Sequence, residues 1–198
     1  MKQESFGNRI KELRELRGMT QLQLAEKMLV SRSTIANWET GNRLPDIDML
    51  AQLAGCLNMN ISVLMNELQK PDRPPKVIVV EDLPVLLNGF VRMLREELPG
   101  AEIRGFRTGK EALAYAREED VSAAFLDIEL GAEDGIALAR ELTSISPYIN
   151  IIFLTSHEDY MLSALTDHCS GYVLKPLTPD KIHHEISHLR YPVRGLKA

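Results

Sequence analysis

Residues 76–82 read Lys76-Val77-Ile78-Val79-Val80-Glu81-Asp82, an apolar β-branched run that ends abruptly in two carboxylates. Continuous apolarity without alternation is the pattern of a short strand buried on both faces. The pattern returns at Ala123-Ala124-Phe125-Leu126, at 149–154 and at Tyr172-Val173-Leu174, with a weaker version at 101–106. Helical spacing separates these runs over 83–97, 110–119, 136–145, 160–168 and 179–189. Five strands alternating with five helices predict a doubly wound α/β domain on a five-stranded parallel sheet, spanning 76–190 with a tail at 191–198.

Upstream of the first strand, Gln69-Lys70-Pro71-Asp72-Arg73-Pro74-Pro75 places three prolines in seven residues. Proline fixes φ and pushes its predecessor into extended conformations, so 69–75 is predicted to be a short, stiff linker. Residues 1–68 before it are predicted to be all-helical, with five helices. Phe6, Ile10, Leu13 and Leu16 form one stripe, stopped by Gly18. Thr20 and Gln23 have capping-box spacing ahead of Leu24, Ala25 and Met28. Ser31 is placed to cap a third helix carrying Ile35 and Trp38, and two further apolar stripes run through Leu50–Leu57 and Ile61–Leu68.

A short helix, a tight turn and a second short helix over 20–40 predict a helix-turn-helix that presents the second helix to the major groove. With Ile35 and Trp38 inward, Arg32, Ser33, Ala36 and Asn37 face outward. Arginine can read guanine and asparagine adenine, while the small side chains allow close approach. Gln21 at the head of the preceding helix is expected over a phosphate or neighbouring base, and Asn42 and Arg43 are expected on the backbone. Trp38 and Glu39 are read as packing residues.

Charge and composition narrow the classes further. Residues 1–70 carry nine Lys/Arg and eight Asp/Glu (net +1), and 71–198 carry 14 and 20 (net −6). The acidic half is therefore no nucleic-acid surface, and DNA contact by the first half must rely on local geometry. No apolar run approaches the roughly 20 residues of a membrane helix, and the opening MKQESFGNRI lacks a secretory apolar core. Cys56 and Cys169 are far apart, without metal-ligand spacing. A cytoplasmic protein with two reduced thiols and no membrane association is expected.

The residues that follow each predicted strand carry the chemistry. Glu81 and Asp82 follow the first, Asp127 ends the third, Thr155 and Ser156 end the fourth, and Lys175 ends the fifth. Ligands of open parallel sheets bind beyond the carboxyl ends of the strands. If the first and third strands are neighbours, three carboxylates converge and require a cation. Mg²⁺ suits such a site, and a carboxylate beside it can act as a nucleophile toward phosphorus, with Lys175 and Thr155 on the phosphoryl oxygens.

Two resemblances follow from these residues. TQLQLAEKMLVSRSTIANWETGNRLPDIDMLAQLA resembles the lambda-repressor/Cro-like helix-turn-helix family over about 65 residues, apart from Leu29, where the family usually has glycine in the turn. VIVVEDLP, AAFLDIELGAEDGIALA, IIFLTSHEDY and GYVLKPLTPDKI resemble the receiver domain of response regulators over 76–190. That second resemblance implies a flavodoxin-like strand order 2-1-3-4-5, with Asp127 as phosphoacceptor and Mg²⁺ held by Glu81, Asp82, Asp127 and the backbone carbonyl of Glu129. It also implies Thr155 and Tyr172 as switch residues, Lys175 as phosphoryl partner and a cis Lys175-Pro176 bond. Glu129 and His157 fall where the family meets the incoming water and are expected to tune phosphoryl lifetime. Together the resemblances imply a phosphoacceptor rather than a metabolic enzyme, with a sensor histidine kinase, double-stranded DNA and a second copy of the chain as partners. The dimer face is expected on 160–168, 172–174 and 179–189. The alternative is a phosphorylation-independent scaffold that binds protein through both domains.

Overall fold

The computed structural model describes residues 2–69, 73–156, 169–193 and 195–196. The chain divides into two compact units, Met1–Arg73 and Pro74–Ala198.

The first unit has five helices: α1 (Lys2–Leu16), α2 (Gln21–Lys27), α3 (Arg32–Glu39), α4 (Ile47–Cys56) and α5 (Ile61–Gln69). Four are ten residues or shorter, below the length at which helices persist alone in water. Local caps and a shared core hold them. Thr20 and Gln23 complete the capping box of α2, Ser31 accepts from Thr34 N–H at α3, and Asp46 accepts from Met49 N–H at α4. Asn60 accepts from Val63 N–H at the head of α5. Ile10, Leu24, Ile35, Trp38, Leu53, Leu57 and Leu64 meet in one buried cluster. Beside it Glu39 accepts from Arg14 Nε at 2.6 Å and from its Nη2 at 3.1 Å, an ion pair almost wholly out of water.

The second unit contains the predicted parallel sheet: β1 (Lys76–Val80), β2 (Glu102–Phe106), β3 (Val121–Asp127), β4 (Asn150–Thr155) and β5 (Gly171–Leu174), in the order β2-β1-β3-β4-β5. Helices α6 (Pro84–Glu97), α7 (Gly109–Glu118), α8 (Gly135–Ile145) and α9 (Pro179–Ser187) cover it. Successive strand residues face opposite sides. Val77, Val79, Ala123, Phe125, Ile152 and Leu154 pack with Leu87, Phe90 and Leu94 of α6 and Ile182 and Ile186 of α9. Ile78, Val80, Ala124, Leu126, Ile151 and Phe153 pack with Ala112 and Ala116 of α7 and Leu138, Ala139 and Leu142 of α8. Two buried faces explain why the strands read as unbroken apolar runs. The helix predicted over 160–168 lies outside the described residues.

The domain boundaries shift from those predicted. Gln69 belongs to α5, and buried Pro75 already accepts from Glu102 N–H, so the linker is shorter at both ends. Part of the predicted tail joins the core: Val193 and Leu196 are buried with the α6/α9 cluster. Buried Asn150 pins this segment, donating to the carbonyls of Ser122 and Tyr191 and accepting from Tyr191 N–H.

Leu29, in the α2–α3 turn, has φ 54° and is 93% exposed. A Cβ in the left-handed region costs on the order of 1–2 kcal/mol, and this side chain recovers little by burial. Leu29→Gly is expected to stabilise the first unit by about 1 kcal/mol after the extra unfolded-state entropy of glycine. Urea unfolding followed by the fluorescence of Trp38, the single tryptophan, measures it; an unchanged midpoint would contradict the strain.

Candidate phosphoacceptor site and DNA-facing helix

The register of the sheet assembles the acidic cluster. Val80 of β1 lies level with Leu126 of β3, which sets Glu81 beside Asp127, and Asp127 lies level with Leu154, which sets Thr155 one step beyond. Glu81, Asp82 and Asp127 each present a carboxylate oxygen, and these atoms lie within 4.8 Å of one another. Glu81 is wholly buried and Asp127 is 6% exposed. β5 stands two strands from β3, roughly 10 Å at about 4.8 Å per strand. A residue at its end therefore needs a long side chain to reach Asp127. Lys175 has one, and its Nζ donates to Glu81 Oε2 at 2.7 Å and to Asp127 Oδ2 at 2.8 Å.

The electrostatics follow from burial. Desolvation pushes the Glu81 carboxyl above the usual range, with Lys175 opposing and Asp127 reinforcing the rise. Burial acts to lower the Lys175 pKa, but its hydrogen bonds to Asp127 and Glu81 outweigh that and the net direction is up. Lys175 thus stays an ammonium.

The cluster opens into a cleft of about 750 Å³ lined by Asp82, Leu83, Leu86, Asp127, Ile128, Glu129, Gly131, Glu133, Asp134, Ile136, Ser156 and Lys175. Its rim includes a two-residue antiparallel ladder, Glu129–Leu130 with Glu133–Asp134, turned at Gly131 with φ 64°. Glu129 N–H donates to Asp127 Oδ1 at 3.2 Å. Arg107 Nε donates to the Asp82 carbonyl at 3.3 Å. Thr155 is fully buried, with its carbonyl accepting from Lys175 N–H, and Tyr172 is half-buried against the α7/α8 side. The Lys175-Pro176 bond is cis, as the resemblance implied. His157 lies outside the described residues. The acidic ladder and Arg107 escaped the sequence reading, because a two-residue pairing inside a loop leaves no periodicity to detect.

In the first unit Arg32, Ser33 and Asn37 are exposed and Ala36 half-buried, while Ile35 and Trp38 are buried. Asn42 and Arg43 are exposed just after α3. Gln21 is less free than expected: its Nε2 donates to Glu39 Oε2 at 2.9 Å. Arg14, Thr20, Gln21, Leu22 and Arg32 line a shallow pocket of about 490 Å³.

Comparison with known proteins agrees with both units. The family model described as Response regulator receiver domain matches residues 77–187, and one described as Helix-turn-helix matches 10–64. Similar curated proteins include the transcriptional regulatory protein LnrK of Bacillus subtilis, 32% identical over 111 residues, covering 54% of this chain and 50% of the relative. Another is the transcriptional regulatory protein LytR of Staphylococcus aureus, 28% identical over 115 residues, covering 58% and 47%. The chain spans about half the length of the curated relatives it matches. Among solved structures, the Thermotoga maritima response regulator TrrA in complex with Mg²⁺–BeF is 27% identical with TM-score 0.52, covering 57% of this chain and 96% of that one. A Burkholderia pseudomallei response regulator with a phosphorylated aspartic acid is 25% identical with TM-score 0.52, covering 58% and 66%. Among the described residues no single helix is long and apolar enough to cross a membrane.

Removing the ammonium leaves Glu81 and Asp127 uncompensated. Lys175→Met is expected to destabilise the second unit by about 3 kcal/mol at neutral pH, and adding Glu81→Gln to recover part of that loss. Denaturant melts of both variants check this; a double variant no better than the single one would contradict it.

Proposed function

We infer, because this chain belongs to the response regulator receiver family, that it acts as a DNA-binding response regulator controlled by phosphorylation of Asp127. The observation that carries the reading is the bridge from Lys175 to Glu81 and Asp127, with Asp82 completing the cluster. Three clustered carboxylates, one wholly buried, face one ammonium, and this donor set fits a hard divalent cation. Glu81, Asp82 and Asp127 would hold Mg²⁺, with the Glu129 carbonyl as a further ligand. When bound, the ion supplies positive charge to the site and to the phosphoryl oxygens.

The remaining steps belong to the chain. An Asp127 carboxylate oxygen attacks phosphorus, the new P–O bond forming as the P–N bond of a kinase phosphohistidine breaks and the imidazole leaves. Lys175 donates to one phosphoryl oxygen and the Thr155 hydroxyl to another. Tyr172, level with Phe153 on the neighbouring strand, follows that hydroxyl as the second switch residue. Glu129 places a carboxylate on the cleft rim and tunes phosphoryl lifetime by repulsion. The product is a regulated phosphoprotein rather than a metabolic enzyme, acting in the cytoplasm where its DNA lies. Phosphorylation shifts the chain toward a homodimer, which raises affinity for paired half-sites by engaging two near-neutral reading modules at once.

Incubation with acetyl phosphate and Mg²⁺ is expected to phosphorylate the wild type at one site and leave Asp127→Asn, or wild type in excess chelator, unmodified. Mass spectrometry of the intact protein reads this, and an unmodified wild type would refute the reading.

For the DNA-facing helix, Arg32→Ala or Asn37→Ala is expected to cost about 1–3 kcal/mol on the preferred duplex and to relax discrimination at one base pair. Arg43→Ala should instead weaken all duplexes alike and lower the salt slope by about one. Selection from random duplexes followed by salt-dependent gel shifts tests both. Absence of any sequence-selective binding would favour the scaffold alternative.

A further inference from the structure

Lys175 works at the end of β5, which among the described residues has a neighbouring strand on one side only. Its reach across β4 is accurate only if the backbone that carries it is fixed. That backbone turns immediately into Pro176, which has no N–H to tie it down. Two side chains of α9, one turn apart, take over. Lys181 Nζ donates to the Leu174 carbonyl at 2.5 Å and to the Pro176 carbonyl at 2.9 Å, the residues on either side of Lys175. Among the described residues this ammonium has no carboxylate partner. Glu185 accepts from Tyr172 N–H, and its carboxylate fills the space beside Gly171, where an added Cβ would lie 1.8 Å from Oε2.

We propose that Lys181 is a positioning residue for the phosphoacceptor site, holding the backbone on both sides of Lys175 so that its ammonium meets Glu81 and Asp127. The proposal rests on the functional reading above for its effect on phosphoryl uptake, but not for its geometry. A methionine at 181 keeps the apolar stem and removes the donors. An arginine keeps the donors.

The test uses the full chain with two readouts. With acetyl phosphate and Mg²⁺, Lys181→Met is expected to slow phosphoryl uptake about tenfold, as misplacement of a charge-stabilising group does, and Lys181→Arg to return to within about threefold of wild type. In a Lys175→Met background, Lys181→Met should cause no further slowing, because the group it positions is gone. The second readout is Mn²⁺ affinity, followed by electron paramagnetic resonance of the free ion. Lys175 competes with a cation for Glu81 and Asp127, so its displacement in Lys181→Met should tighten Mn²⁺ binding about threefold.

Unchanged uptake and unchanged Mn²⁺ affinity in Lys181→Met would overturn the proposal. So would equal slowing with and without Lys175, which would place the effect in general stability. If the wild type takes up no phosphoryl group, the functional reading fails, and the Mn²⁺ arm alone decides on Lys181. If Lys181→Met does not fold, Lys181→Arg decides by the same two readouts: wild-type values support the role of the donors, and uptake slowed equally with and without Lys175 overturns it.

Discussion

Carboxylates gathered at one end of a parallel sheet must be neutralised, and the second unit is organised around that requirement. A wholly buried Glu81 beside a nearly buried Asp127 is tolerable only with a cation at hydrogen-bond distance. The sheet order decides where that cation can come from. With β3 and β1 central, a residue at the end of β5 must reach across β4, which selects a long side chain with a terminal charge. A lysine ends as a compact point charge able to serve two carboxylates at once. The same parallel register that raises the electrostatic cost therefore supplies its compensation, since every functional group sits at or just past the end of a strand.

The first unit meets a different constraint. Four of its five helices are too short to persist by themselves, so the starts of α2 to α5 are fixed by side-chain caps and the inner faces by one shared core. The Arg14–Glu39 pair ties the end of α3 to α1. Glu39 also receives the Gln21 amide, so α1, α2 and α3 converge on one buried carboxylate. That convergence orients α3 without using any of its exposed residues, and Arg32 and Asn37 remain exposed, while the Ser33 hydroxyl shares a hydrogen bond with Ser31 Oγ at 2.7 Å. Gln21 is partly committed, because one amide N–H goes to Glu39 and the second N–H and Oε1 are what it can offer a duplex.

Much of this was legible in the sequence, for physical reasons. Strands buried on both faces cannot be mistaken for surface elements, and Thr20, Ser31 and the apolar stripes mark helices by chemistry that acts locally. Glu81, Asp82, Asp127, Thr155 and Lys175 could be named because they follow strands, and strand ends are visible in one dimension. What escaped depends on non-local contacts. Val193 and Leu196 looked like a tail because nothing in their own spacing announces the core they join, and Asn150 gives no hint that it binds Tyr191 from 41 residues away. The ladder at 129–134 is too short to produce a period, and Lys181 reads as an ordinary helix-surface lysine until the carbonyls beneath it are seen.

The arrangement also restricts how a charge change at Asp127 could travel. On the proposed function, a phosphoryl group adds roughly one and a half to two negative charges to a site already held in balance by Lys175. β1 and β3 have strand neighbours on both sides and helices on both faces, so they are poor candidates for movement. Among the described residues β5 has one strand neighbour, and Lys175 stands at its end. A pull on Lys175 toward new phosphoryl oxygens is therefore transmitted first to β5 and to the α9 side chains that grip it. The element that supplies the neutralising charge is thus an edge strand among the described residues. That position follows from the strand order, and on the proposed function it makes the β5–α9 face the part of this unit expected to respond to the charge at Asp127.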